Sequence, residues 1–313
     1  MRTPDSKSIL HYRLVEELSR DPQMVVYKAV DSALQRVVTL KVFGREDGEK
    51  PEFIWRYLPS LEKARRLDHR HIAGLHDVQE HEGRILIVAE YFEAEPFESV
   101  LANGPLRAQE FLAWAIRLAD GLNYAHRHDV VHGNLGPHNL WVRRDGVLVI
   151  SDFGLPPIRH DIADSIDDLP SKHVAYFSPE VLDGESPGQM SDFFSVGVLF
   201  YQMLTGHRPF LGEDNQTLAE AIRTEVPDFI GLRRMGVPGG IVLLLEQLLA
   251  KDRTQRCGSF DELLITLQSI RQFEREHAVE QPVKRKWTPR QYLSISVLAV
   301  LLLILWMIIA DGN

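Results

Sequence analysis

The chain has 313 residues, 44% apolar and 25% charged, which supplies one large core or two modest ones and excludes bulk disorder. Its formal charge of −9 at pH 7 disfavours nucleic acid as a partner. The single cysteine, Cys257, excludes an internal disulfide and a cysteine-based metal spacing, and reads as a small buried side chain.

Residues 1–8 are polar. Short β-branched runs at 9–20, 25–31 and 35–43, separated by Asp, Pro and Ser, predict an antiparallel meander. Residues 53–69 are helix-forming, with Pro59 predicting a kink or a late start. Two further strands are expected within 73–78 and 83–92, and apolar residues at helical spacing over 110–128 predict a long core helix. That helix leads into V-V-H-G-N-L-G-P-H-N-L-W-V at 130–142 and then, through a Gly turn, into S-D-F-G at 151–154. The order suggests a loop and hairpin that present an amide, Asn139, and a carboxylate, Asp152, to one cleft.

The end of the chain differs in kind. Residues 291–310 carry no charge, and about 20 residues at about 1.5 Å each match a hydrocarbon layer of about 30 Å. This stretch is expected to span a membrane. Lys284, Arg285, Lys286 and Arg290 precede it and only Asp311, Gly312 and Asn313 follow, so the positive-inside bias keeps the preceding region in the cytoplasm. Trp287, Tyr292 and Trp306 sit where interface anchors belong. The expected location is the inner (cytoplasmic) membrane, crossed once.

Residues 130–154 resemble the protein kinase family in its bacterial serine/threonine branch, whose loop reads H-R-D-L-K-P-x-N and whose next motif reads D-F-G. The resemblance covers roughly 12–271 and implies an α+β, bilobal protein kinase-like fold. It implies an antiparallel β-rich N-lobe over 9–92, a mostly helical C-lobe over 93–273, a charged juxtamembrane linker over 274–290 and the transmembrane helix over 291–310. Carried over residue by residue, it places Lys41 on the nucleotide's phosphates, Val26 above the adenine, and Glu90 and Phe92 in the hinge. It makes Asn139 and Asp152 nucleotide-facing residues and Mg²⁺ ligands, and implies a structural role for His132 beneath Asp152. Glu180 and Arg256 match a buried ion pair, and Asp192 matches a residue that hydrogen-bonds to the catalytic-loop backbone.

The departures are grouped. Asn134 stands in place of the catalytic Asp, Gly136 in place of a phosphate-facing Lys, and Gly133 in place of an Arg. Ser19, Asp21 and Met24 replace the glycines of the phosphate loop, where Pro22 also fixes the turn. His173 falls in the turn where the family has a Thr that touches the missing Asp and Lys. Ser60 takes the helix position of the glutamate that pairs with Lys41, and Glu62, two residues on, lies on the wrong face. His138 occupies a variable position and reads as a surface residue; Thr39 and Trp141 bracket the adenine site, Trp141 being large enough to fill it.

Asn134 can orient a hydroxyl but cannot take its proton, a loss worth about 10²–10⁴ in rate. The resemblance therefore implies a membrane-tethered pseudokinase acting as a signalling scaffold or allosteric partner, its ATP and Mg²⁺ binding weak or absent. The alternative is a weakly active ATP-dependent serine/threonine protein kinase. The implied partners are a protein, either an active kinase or another signalling protein, and the membrane.

Overall fold

The computed structural model describes residues 8–20, 24–44, 58–155 and 166–278. Up to Arg271 they form one compact unit; from Gln272 they are the end of a single helix, in a second unit.

Six strands build the first lobe: β1 (Ser8–Ile9), β2 (Tyr12–Arg20), β3 (Met24–Asp31), β4 (Arg36–Phe43), β5 (Leu75–His81) and β6 (Arg84–Glu90). Helix α1 (Leu58–Ala64) lies between β4 and β5 in the chain. The sheet order is β1-β2-β3-β4-β6-β5, antiparallel throughout, as the β-branched runs predict. Alternation along β4 sets the two faces. Val38, Leu40 and Val42 enter one core with Tyr12, Ala29, Leu86 and Val88, while Phe43 packs on the other side with Leu61 of α1, Ile85 and Ile87. Lys41, two residues before Phe43, shares that second face.

The helix expected over 53–69 is described only from Leu58, and it ends at Ala64. Pro59 sits in its first described turn, where a missing amide proton costs nothing. After Ala64 the chain tightens, Arg66 N–H bonding to Lys63 O at 3.0 Å and Leu67 N–H to Ala64 O at 3.1 Å.

The second lobe begins with β7 (Ala94–Pro96), α2 (Glu98–Leu101) and α3 (Ala108–Arg127), followed by β8 (Leu140–Arg143) and β9 (Leu148–Ile150) in a small sheet ordered β7-β8-β9. Among the described residues seven helices follow: α4 (Ser171–Val174), α5 (Pro179–Leu182), α6 (Gln189–Thr205), α7 (Asn215–Thr224), α8 (Phe229–Arg234), α9 (Gly239–Leu248) and α10 (Phe260–Ala278). Helix α3 buries Phe111, Leu112, Ala115, Leu118, Ala119, Leu122 and Ala125, the face its periodicity predicts. Helix α6 is buried along most of its length, Gln189, Met190 and Gln202 being the exceptions. Phe193, Phe194 and Phe200 are each fully enclosed, at about 1.5–3 kcal/mol of transfer free energy apiece. Cys257 is free and buried, and burial pushes its thiol up to about 11.

The expected linker starts inside α10, because 274–278 contain no helix breaker. Among the described residues no helix is long and apolar enough to cross a membrane. The expected span at 291–310 and the rest of the linker lie outside the described residues, as do Asp21 and Pro22.

Candidate functional site

Between the sheet lobe and the helical lobe lies a cavity of about 1020 Å³. Its walls include Val26, Thr39, Lys41, Ala89, Glu90 and Phe92 from the first lobe and hinge, and Asn134, His138, Asn139, Trp141, Asp152 and His173 from the second. All the residues named from sequence as nucleotide- or metal-facing therefore line one space.

Lys41 lies opposite Val26 in the β3–β4 register and is 8% exposed. Its ammonium pairs with the Asp152 carboxylate. Glu62 is instead exposed and bonded to Arg65 at 3.2 Å, one turn along α1. Lys41 thus pairs with Asp152 and not with Glu62, in keeping with the two-residue offset of Glu62. Asp152 adopts φ +74°, and so does Gly154. A Cβ at Gly154 would sit 2.8 Å from the Ser60 carbonyl oxygen, so α1 presses on this turn through backbone and only glycine fits.

The hinge is held from both lobes. Thr39 Oγ1 donates to Glu90 O at 3.2 Å, and Glu90 N–H donates to Gly74 O at 2.8 Å. The Glu90 carboxylate accepts from Arg143 Nη2 at 2.5 Å and from Gly74 N–H at 3.2 Å. The Arg143 guanidinium also stands 5.0 Å from the Phe92 ring centroid. Arg143 is a residue the sequence gives no reason to single out, since an Arg at the end of a short strand faces water by default. Trp141 lines the cavity and leaves it open. Its Nε1–H donates to Ser151 Oγ at 3.1 Å, which fixes the indole as part of the wall.

The loop at 130–142 is knitted by its own groups. His132 is buried, donates from Nε2 to Ser151 O at 3.0 Å, and accepts at Nδ1 from Asn134 N–H at 3.3 Å. Its ring meets Phe153 edge-on at 4.8 Å, a structural placement beneath Asp152. Burial lowers its pKa and keeps it neutral. Asp192, fully buried, accepts from His132 N–H at 2.9 Å, from Gly133 N–H at 2.8 Å and from His126 Nε2 at 2.7 Å. Asn139 Oδ1 accepts from Gly136 N–H at 2.9 Å and its Nδ2 donates to Asn134 O at 3.0 Å. Both candidate metal ligands are thus engaged within the protein, Asp152 by Lys41 and Asn139 by the loop.

Asn134 Oδ1 accepts from His173 Nδ1 at 3.2 Å, which joins two of the substituted positions directly. His138 corrects the surface reading. Its ring stacks at a tilt on His173, centroids 3.9 Å apart, and its nitrogens are closed to solvent, with the Asn134 backbone beside them. The reason is the void left by Gly136, which admits the imidazole; the identity of residue 138 alone carries no such signal.

Burial pushes His138 down to about 2 and His173 down to about 4, each from an ordinary 6.5, with Lys172 repelling a second charge and Asp152 favouring one on His173. A depressed folded-state pKa means that the unfolded chain binds protons first as pH falls below about 6.5. Each such histidine then costs up to about 1.4 kcal/mol per pH unit. Stability is expected to decline between about pH 6.5 and 5, before carboxylates titrate. His71, His76 and His132 act in the same direction, so a His138→Ala, His173→Ala double variant should flatten the melting-temperature profile in part. An unchanged slope would refute the assignment to this pair.

Comparison with known proteins agrees with this geometry. The family model described as protein kinase domain matches residues 12–267. Serine/threonine-protein kinase PrkC of Bacillus subtilis is 27% identical over 256 residues, covering 80% of this chain and 39% of that protein. Serine/threonine-protein kinase PknL of Mycobacterium tuberculosis is 29% identical over 255 residues, covering 80% and 62%. The chain thus spans less than two thirds of the length of these relatives. The crystal structure of the Mycobacterium tuberculosis PknI kinase domain superposes with a TM-score of 0.68 at 22% identity, over 86% of this chain and 99% of that one, a likeness of fold.

Proposed function

Because the chain belongs to the protein kinase family, its bilobal fold matching bacterial relatives, we propose that it is a pseudokinase that works by binding another protein. The observation that carries this reading is the joint change at the catalytic loop. Asn134 bonds to His173, Gly136 offers no side chain, and His138 lies between them. Family members use an Asp to take the acceptor proton and a Lys to hold the moving phosphoryl charge. Here an amide and neutral imidazoles stand at those places, and residue 136 itself carries no charge.

Relatives that bear the name serine/threonine kinase imply ATP and Mg²⁺ in general. The residues present fit the base better than the metal. The hinge, Val26, Thr39, Ala89 and Trp141 leave a chamber open. Mg²⁺ favours octahedral oxygen ligands; Asp152 would offer it the carboxylate oxygen that Lys41 does not take, and Asn139 would have to share its oxygen with Gly136 N–H. Lys41, Asn139 and Asp152 would hold a nucleotide weakly. The open chamber and these retained residues also favour a second reading, a weakly active ATP-dependent serine/threonine kinase.

The full chain in detergent decides between them. No autophosphorylation is expected from the native protein or from Asn134→Asp alone, and ATP with or without Mg²⁺ should move the melting temperature little. Robust autophosphorylation abolished by Asp152→Ala would overturn the pseudokinase reading. The tether through 291–310 and a cytoplasmic kinase-like region complete the proposal; the partner is an active kinase or another signalling protein. Digestion of that region by protease only after the membrane is opened is the result expected for this topology.

A further inference from the structure

Gly136 has no conformational reason to be glycine. Its φ of −165° and ψ of 177° are extended backbone that any residue adopts. What stands against a side chain there is His138. A Cβ on residue 136 would lie 2.5 Å from His138 Cε1 and 2.7 Å from His138 Nδ1, with Tyr176 Cδ2 next at 3.2 Å. The first two distances are overlaps, whereas the third asks the tyrosine to give by a few tenths of an ångström.

We propose that His138 is the positioning residue that locks the loop in its present form: its imidazole has taken the volume of the side chain missing at 136 and, against His173, closes the phosphate end of the cleft. The obstructing atoms belong to a ring and not to backbone. A side chain at 136 therefore has to turn His138 away from His173, and that movement breaks a contact with centroids 3.9 Å apart. His173 in turn bonds to Asn134, so the displacement reaches the position of the acceptor proton. The Asn134 backbone is the polar group beside the imidazole nitrogens, which leaves packing in the Gly136 void as its main reason for being inside.

Three consequences follow from this geometry. Restoring a lysine at 136 alone cannot restore the family's loop, because the lysine enters an occupied space. Restoring an Asp at 134 alone leaves the neutral pair His138 and His173 in the cleft. The minimal reversal is a set that includes His138. The inference rests on residues 134 and 136 being the family's Asp and Lys positions, but not on the chain being inactive.

A stability cycle on the full chain tests it without reference to phosphoryl transfer. Gly136→Ala, which adds only the methyl group, is expected to lower the melting temperature by roughly 5 °C through overpacking. In a His138→Ala background the same change is expected to be neutral or stabilising, as Gly→Ala is at an unstrained site. A drop of equal size in both backgrounds would overturn the proposal. The second readout is modification of His138 by diethylpyrocarbonate, mapped by mass spectrometry. His138 should be shielded in the native protein and modified in Gly136→Ala and Gly136→Lys. Shielding that persists in a folded Gly136→Lys protein would equally overturn it. Autophosphorylation of the native chain would sink the pseudokinase reading and leave this cycle unaffected.

Discussion

Arg256→Ala is expected to lower the unfolding free energy by about 3–5 kcal/mol and the melting temperature by roughly 10 °C. The guanidinium is fully buried and forks onto Glu180, Nη1 to Oε1 at 2.7 Å and Nη2 to Oε2 at 2.9 Å. Its remaining protons go to the carbonyls of Ala250, Met190 and Lys251 at 2.9, 2.8 and 3.2 Å. Burial opposes ionisation of Glu180, yet the arginine outweighs it and holds the carboxyl below the usual range. Removing the arginine takes a donor from three carbonyls and leaves that carboxylate buried with neutral donors such as Ser191 Oγ, at 3.1 Å, and no countercharge. A lysine cannot replace the planar fork, whereas the double replacement Glu180→Leu, Arg256→Met should recover part of the loss. Denaturant titrations of the three variants provide the check; a loss below about 1 kcal/mol for Arg256→Ala would show that the pair is dispensable.

Asp192→Ala should cost a similar amount, about 3–5 kcal/mol, by a different route. One carboxylate collects the amide protons of His132 and Gly133 and the Nε2 proton of His126, so its loss strands three donors in a site closed to water. Two of the three are the backbone of the loop itself. Hydrogen exchange should therefore accelerate at His132 and Gly133 beyond the global loss of stability. If those amides keep their protection in a folded Asp192→Ala protein, the loop is held by something other than this carboxylate.

What could be read in advance follows the physics of each feature. Period-2 and period-3.6 patterns are properties of single elements, and they located the sheet and α3 because one face of each must be buried. The Glu180–Arg256 pair and the Asp192 contacts were legible through the family resemblance, because each of these residues falls in a motif that resembles the family's. Side chains that answer a local vacancy were not. His138 is inside because residue 136 has no Cβ, and Arg143 reaches Glu90 because two lobes meet there; both are facts about pairs distant from any one-dimensional period. Trp141 shows the same limit: its size suggested a plug, and a single hydrogen bond to Ser151 turned it into a wall.

The pair formed by Lys41 and Asp152 joins β4 of the sheet lobe to the turn at the top of the helical lobe. It is a strut made from the chain's own charges, in place before any ligand arrives. On the scaffold reading proposed above, a partner that senses how the two lobes are set would read a geometry to which this ion pair contributes.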